Sequence, residues 1–175
     1  AYALDNTLSW TNGMAILGQS GSMRQRAGAE RKLRPLFSHL PLRDLDMLAT
    51  GRHAAFFQEW LEHNEPGDPY WQSRDFSATV KDVTIPINLV GGWYDIFLPW
   101  MLRDYRSLRE AGRHPYLTIG PWAHSSLGLI TTALHETLTW FRTYLLEDRS
   151  RLRQLPVRLF VTGANTWREF PDWPP

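Results

Sequence analysis

The stretch that decides the fold is residues 85–124, IPINLVGGWYDIFLPWMLRDYRSLREAGRHPYLTIGPWAH. It contains two short apolar runs, IPINLV and PYLTI, and between them apolar residues recur every three or four positions. Continuous apolar runs are typical of buried parallel strands, and the intervening period is that of an amphipathic helix. Pro99 suits the start of that helix and Gly112 its end. The stretch therefore predicts a strand–helix–strand unit of a parallel α/β sheet.

The segments on either side show a different spacing of apolar residues. Residues 1 to about 80 read as helices joined by polar connectors, and a second long helix is predicted over residues 131–148. One face of that helix carries Leu134, Leu138, Phe141 and Leu145. From Leu155 onward a weak two-residue period indicates an antiparallel strand, without a partner before the Pro-rich end. Because an unpaired strand is not stable by itself, we expect the protein to continue past this point.

Composition narrows the class of protein. The chain has 175 residues, of which 43% are hydrophobic, a formal net charge of +1 and no cysteine. It can therefore build a core, and neither a nucleic-acid partner nor a thiolate metal site is expected. No apolar run approaches the ~18 residues of a membrane helix, and no signal-peptide pattern is present. We expect a cytoplasmic protein with no membrane partner.

A carboxylate and an imidazole follow the two predicted parallel strands. Asp95 comes after the first strand and His124 after the second, 29 residues later. Since ligand sites of open α/β sheets lie at the carboxyl ends of the strands, both side chains are expected at one sheet edge. There the carboxylate can orient the imidazole as a base. The alternatives are that Asp95 only caps the next helix and that His124 is an ordinary surface residue.

No serine in the chain has the setting of a hydrolase nucleophile. Such a serine needs a sharp strand-to-helix turn, G-x-S-x-G, and precedes the aspartate and the histidine in the chain. Ser125 and Ser126 follow His124 directly and lack this frame. The run GQSGS at residues 18–22 ends in serine rather than glycine and lies between helical segments. Either the pair does not belong to a triad, or the nucleophile lies outside this chain.

Several motifs together resemble one enzyme family. They are IPINLVGGWYDIF, LTIGPWAHSS, PVRLFVTGANTWREFPDWPP and the segments LPLRDLD and WLEHNEPGDPYWQ. With these the chain resembles the cocaine-esterase and X-Pro dipeptidyl-peptidase family of α/β-hydrolase serine hydrolases. The resemblance implies a helical cap over residues 1–80 and the C-terminal part of an α/β-hydrolase core over 81–150. It also implies a linker and the first strand of a C-terminal β jelly-roll over 151–175.

The resemblance also implies roles for individual residues. Asp95 would be the triad aspartate and His124 the base, while the nucleophilic serine and the oxyanion hole would lie outside this chain. Taken alone, the chain would then be inactive. Aromatic residues are weaker candidates, either lining the substrate pocket or only packing; they are Trp60, His63, Tyr70 and Trp71 in the cap and Trp93 and Trp122 beside the dyad.

The function implied is that of a serine acyl hydrolase, an esterase or an X-Pro dipeptidyl-peptidase, acting on a small ester or peptide without a cofactor. The alternative is a non-catalytic binding module that uses the aromatic cap and the Arg-rich run 24–35. A metal enzyme is disfavoured, because HETLT at residues 135–139 has threonine where H-E-x-x-H needs its second histidine. Unpaired strand edges would favour a homo-oligomer.

Overall fold

The computed structural model describes residues 4–18, 31–65, 67–124 and 126–174. The chain forms two compact units, Ala1–Asp75 and Phe76–Pro175. Among the described residues, no helix combines the length and the apolar content needed to cross a membrane.

The first unit is helical. Its α-helices are α1 (Leu4–Gly18), α2 (Leu45–Thr50), α3 (Ala55–Glu62) and α4 (Pro69–Gln72), with 3-10 turns at Arg34–Ser38 and Leu42–Asp44. Its core is built from Leu8, Leu33, Leu45 and Phe57, which are all buried. The helical character predicted for this region is therefore confirmed, while its role as a cap stays a prediction.

A buried carboxylate connects α2 to α3. Asp46 has no exposed side-chain surface, and its Oδ2 accepts the backbone N–H of Ala54 at 2.7 Å and the side-chain amide of Gln58 at 3.0 Å. Its Oδ1 lies 3.1 Å from Nδ1 of His53. Gly51 ends α2 with a φ of 78°, a left-handed conformation that glycine adopts without strain. Burial raises the pKa of the Asp46 carboxyl, but these hydrogen bonds outweigh it and hold the pKa below its ordinary value.

The second unit is an α/β sheet. Its elements are β1 (Asn88–Gly92), α5 (Leu98–Glu110), β2 (Tyr116–Gly120), α6 (Leu127–Leu145), β3 (Val157–Val161) and β4 (Thr166–Phe170), preceded by a 3-10 turn at Ser77–Asp82. The strand order is β1-β2-β3-β4, in which β1, β2 and β3 run parallel and β4 runs antiparallel to β3. The predicted strand–helix–strand unit is confirmed in type and position.

The helices α5 and α6 cover opposite faces of the sheet. Successive side chains of a strand point to opposite faces. On β2, Leu117 and Ile119 join a buried cluster with Tyr105 of α5. Thr118, between them, donates from Oγ1 to Oε1 of Glu136 on α6, at 3.4 Å. The sheet is therefore a middle layer, as expected for parallel strands joined by helices.

The long helix α6 does not pack through the face that the sequence indicated. The side chains of Leu134, Leu138, Phe141 and Leu145 are all more than half exposed. The buried positions of the helix include Glu136, Thr139 and Thr143. An ion pair lies on this buried side: Nη1 of Arg153 donates to both carboxylate oxygens of Glu136, at 2.9 and 2.8 Å, and each side chain is only about a tenth exposed.

The C-terminal segment corrects a second expectation. Instead of an antiparallel strand without a partner, β3 pairs in parallel with β2, so that Val157 lies opposite Leu117. It also pairs in antiparallel fashion with β4, where Val157 lies opposite Phe170. The spacing of apolar residues along the chain could not reveal the pairing of β3 with β2, because the whole of α6 lies between these two strands in the sequence. The segment extends the α/β sheet by two strands, and the jelly-roll assigned to residues 151–175 stays a prediction.

The end of the described chain is fixed to α5. Tyr105 donates to Oδ1 of Asp172 at 2.8 Å, and Arg109 donates to the same carboxylate through Nε and Nη2. The hydrogen bond from Arg109 lowers the pKa of Asp172 to about 2. Burial, together with the hydrogen bond to Asp172, raises the pKa of the Tyr105 phenol.

Candidate active site

The carboxyl ends of β1 and β2 bring Asp95 and His124 together. Gly92 ends β1 and lies opposite Gly120, which ends β2. Asp95 follows three residues after the first strand and His124 four residues after the second. Because the two strands are parallel neighbours, both loops leave the sheet at the same edge.

The two side chains are in hydrogen-bond contact. Oδ2 of Asp95 lies 3.1 Å from Nδ1 of His124, and Oδ1 accepts the backbone N–H of Phe97 at 2.9 Å. The Asp95 side chain is 7% exposed, whereas that of His124 is 56% exposed. A carboxylate on Nδ1 favours the tautomer that carries its proton there. Nε2 is then the nitrogen that can accept a proton from a reacting group.

Asp95 also orders the start of α5. Its Oδ1 holds the N–H of Phe97, and its carbonyl accepts the N–H of Leu98 at 3.1 Å. Asp95 is not the cap of this helix, whose N-cap is Phe97 and which has no side-chain capping hydrogen bond. One oxygen of the carboxylate orders the turn before the helix, and the other faces the histidine.

An apolar cleft of about 380 Å³ lies beside the dyad. Asp95 and His124 line it, and its apolar wall consists of Val90, Phe97, Leu98, Met101, Leu129, Ile130 and Ala133. The ring of Phe97 contacts the His124 ring edge-on, with centroids 4.8 Å apart. These wall residues are not among the site residues expected from the sequence. Four of the seven lie in the first turns of α5 and α6, soon after the two loops, and this position is a signal that could have identified them; they are Leu98, Met101, Leu129 and Ile130.

The chain matches a known protein family. Residues 1–126 match the X-Pro dipeptidyl-peptidase (S15 family). The chain belongs to this family. It is 29% identical over 149 residues to the cocaine esterase of Rhodococcus sp. (strain MB1 Bresler), an alignment that covers 77% of this chain and 25% of the esterase. The chain therefore spans about a quarter of the length of that curated relative.

A solved structure supports the fold of this S15 family chain. An aminopeptidase from the marine sediment archaeon Thaumarchaeota archaeon superimposes with a TM-score of 0.56 and 22% sequence identity. The match covers 74% of this chain and 24% of the aminopeptidase. It is consistent with an α/β-hydrolase-like fold. The family resemblance inferred from the sequence motifs is confirmed by the match over residues 1–126 and by the relationship to the cocaine esterase.

In this S15 family chain, the two tryptophans beside the dyad do not line the cleft. Trp93 donates from Nε1 to the carbonyl of Phe160 at 2.6 Å, and its ring centroid lies 6.1 Å from that of Trp173. Trp122 packs on Gly120 at the end of β2. A part for Trp93 and Trp122 in substrate binding stays a prediction, and packing is what the structure records for both.

The aromatic candidates of the helical unit form a cluster of their own. The ring centroids of Trp60 and Trp71 are 6.0 Å apart, and Tyr70 stacks on His63 at 4.4 Å. Trp71 donates from Nε1 to the carbonyl of His63 at 2.6 Å, and Tyr70 donates to Glu59 at 2.7 Å. These contacts show packing, and a part in substrate binding stays a prediction.

The serines and possible metal ligands singled out in the sequence lie apart from the dyad's chemistry or outside the described residues. Ser126 accepts the N–H of Ala123 on its Oγ at 3.0 Å and so closes the loop that carries His124. Ser125, most of the GQSGS run and most of the Arg-rich run 24–35 lie outside the described residues. Within residues 4–18, 31–65, 67–124 and 126–174, acidic and histidine side chains nowhere gather in a group that could hold a metal ion.

Proposed function

We propose that this S15 family chain supplies the aspartate and the histidine of a Ser-His-Asp triad in a serine acyl hydrolase. The observation that supports this is the 3.1 Å contact between Oδ2 of Asp95 and Nδ1 of His124 at the carboxyl ends of parallel strands. In the order of triad residues typical of α/β-hydrolases, the serine precedes both. We place the nucleophile in a part of the hydrolase outside these 175 residues.

The proposed chemistry uses the free nitrogen of the imidazole. His124 accepts the serine hydroxyl proton on Nε2 while the serine oxygen attacks the carbonyl carbon of an ester or amide. The resulting imidazolium is stabilised by Asp95 and then gives its proton to the leaving alcohol or amine. A water molecule, deprotonated by His124, hydrolyses the acyl-enzyme and restores the serine.

The cleft beside the dyad suggests which part of a substrate binds there. Its lining is apolar apart from Asp95 and His124. Burial of apolar surface contributes about 25 cal/mol per Å², so an apolar acyl or leaving group is the favoured occupant. Both an ester and a short peptide can carry such a group, and the named relatives include an esterase and an aminopeptidase.

The test is active-site labelling of the full-length gene product. A fluorophosphonate probe is expected to label one serine outside residues 1–175 by forming a phosphorus–oxygen bond with loss of fluoride. His124→Ala should abolish the labelling, whereas Ser107→Ala, near the C-terminal end of α5, should leave its rate unchanged. A labelled serine inside this chain, or equal labelling of the His124→Ala variant, would contradict the proposal.

A further inference from the structure

We infer that Trp122 is a positioning residue that sets the geometry of the Asp95–His124 dyad, and that the β3–β4 hairpin supports it through Trp167. The catalytic part of this inference rests on the proposed function. The structural part, that this indole fixes the loop of His124, stands on contacts alone.

The indole of Trp122 occupies a slot that only glycines leave open. A methyl group added at Gly120 would lie 2.2 Å from Cζ3 of Trp122, and one at Gly128 would lie 2.4 Å from its Nε1. Gly120 ends β2, and Gly128 is in the first turn of α6. Because the ring contacts both, it fixes the entry and the exit of the loop between them, on which His124 lies.

The backbone of Trp122 joins this loop to the loop of Asp95. Its carbonyl accepts the N–H of Tyr94, the residue before Asp95, at 3.0 Å. A methyl group at Gly92 would lie only 2.0 Å from the same carbonyl oxygen, so this approach too requires glycine. Trp122 thereby joins the two loops. It lies two residues before His124, and its carbonyl is bonded to Tyr94, the residue directly before Asp95.

The outer side of the indole is covered by the C-terminal hairpin. The ring centroids of Trp122 and Trp167 are 5.6 Å apart, with planes tilted by 46°. Trp167 is held by Phe160 of β3, at 5.4 Å between centroids, and by the guanidinium of Arg158, 4.6 Å from the ring. Aromatic pairs of this kind contribute about 0.5–1.5 kcal/mol beyond the area that they bury. The hairpin therefore acts on the dyad without touching it.

The experiment separates positioning from folding in the full-length protein. Trp122→Ala is expected to lower kcat for an aryl ester by about a hundredfold, because a shift of about 1 Å in a catalytic group has that effect. KM should change less than about threefold, since a shifted base impairs the transition state rather than binding. Trp122→Phe should recover most of kcat. Trp140→Ala is the matched control: this half-buried tryptophan of α6 packs on Tyr116, away from the loop, and its loss should leave kcat unchanged.

A second measurement does not depend on activity. With ¹⁵N-labelled histidine, the Nδ1 proton of His124 should be visible by NMR in the native protein and in Trp122→Phe, and lost by exchange in Trp122→Ala. If Trp122→Ala does not fold, Trp167→Ala takes its place, with a smaller loss of kcat and a weakened resonance. Native kcat and a native resonance in the folded variant overturn the inference. If the native enzyme lacks serine-dependent hydrolysis, the proposed function fails and the resonance alone decides the inference.

Discussion

Asp95 uses its two carboxylate oxygens for two different partners: Oδ2 lies 3.1 Å from Nδ1 of His124, and Oδ1 accepts the N–H of Phe97. The orientation of the carboxylate is therefore fixed by the backbone N–H of Phe97, the residue before α5. The histidine receives an acceptor whose direction the fold has set in advance. Because each oxygen has its own partner, the effect on hydrolysis of replacing one of them by an NH₂ group can be predicted.

Asp95→Asn should nearly abolish hydrolysis in the full-length protein. The amide oxygen would keep the N–H of Phe97, which leaves the NH₂ group facing His124. An NH₂ group selects the tautomer with its proton on Nε2, which cannot take the proton of a serine. A loss of about 10⁴ in kcat is expected, as for other triads. Steady-state hydrolysis of an aryl ester measures it.

The matched control for this variant is Asp104→Asn. Asp104 is a carboxylate of the same helix region that pairs with Arg103, 3.4 Å away. Its replacement should leave turnover unchanged. Near-native turnover in Asp95→Asn, with circular dichroism matching the native protein, would remove Asp95 from the triad.

Breaking the Glu136–Arg153 pair should strongly destabilise the sheet unit. Each side chain is about a tenth exposed, so removing one leaves a buried charge without its partner. Arg153→Met is expected to lower the free energy of unfolding by about 3–5 kcal/mol, whereas the double variant Arg153→Met, Glu136→Leu should recover much of the loss. Urea denaturation measures both.

The exposed pair Arg142–Asp148 provides the comparison, because its side chains are 49% and 31% exposed. Arg142→Ala should cost no more than about 1 kcal/mol. Equal costs for Arg142→Ala and Arg153→Met would show that the burial of Glu136 carries no energetic weight.

The Asp172 carboxylate should make the sheet unit sensitive to acid. Its pKa falls from an ordinary 3.8 to about 2, first through the hydrogen bond from Arg109. A lowered pKa in the folded state means stabilisation that is present above about pH 4 and lost as the pH falls towards 2. The difference in urea midpoint between the native protein and Asp172→Asn should therefore be constant near neutral pH and shrink between pH 4 and 2.

Tyr105→Phe removes one donor to the same carboxylate and leaves Arg109 in place. Tyr105→Phe should therefore change the pH dependence of the urea midpoint between pH 4 and 2 less than Asp172→Asn does. If the native and Asp172→Asn midpoints remain equally far apart down to pH 2, the ion pair with Arg109 does not form in solution.

Asp46 should control the stability of the helical unit. Asp46→Ala leaves the N–H of Ala54 without its acceptor, at a cost of about 1–3 kcal/mol. The amide of Gln58 loses one of two acceptors, since it also donates to the carbonyl of Arg43. We expect faster amide hydrogen exchange throughout α2 and α3. Because the pKa of Asp46 is lowered in the folded protein, the stabilisation that its carboxylate provides to the helical unit should be lost in acid rather than in base.

Asp44→Ala is the matched control, since the Asp44 side chain is half exposed. It should leave exchange in α2 and α3 close to native. Unchanged protection in Asp46→Ala would mean that the core around Phe57 holds the two helices without the carboxylate.

The parts of the fold that the sequence predicted are those governed by local period. The strands β1 and β2 and the helix between them follow from apolar runs and helical spacing. The meeting of Asp95 and His124 follows from the same reasoning, because neighbouring parallel strands deliver their following loops to one edge.

The features of the fold that the sequence did not predict depend on contacts between residues distant in sequence. Glu136 on the buried face of α6 has its charge partner in Arg153, 17 residues later, and a helical wheel contains no such information. The pairing of β3 with β2 likewise follows from a contact across a whole helix. The slot of Trp122 needs Gly120 and Gly128 on two different elements, which the sequence does not bring together, and a part for Trp122 in substrate binding stays a prediction.

The continuity of the sheet across residue 150 bears on how such proteins change over evolutionary time. Val157 shares backbone hydrogen-bond register with Leu117, and Trp167 covers the indole beside His124. A recombination event that exchanged everything after residue 150 between two relatives would import a foreign strand into the middle of the sheet and a foreign surface beside the histidine loop. We expect β3 and β4 to be inherited together with the two loops that they support.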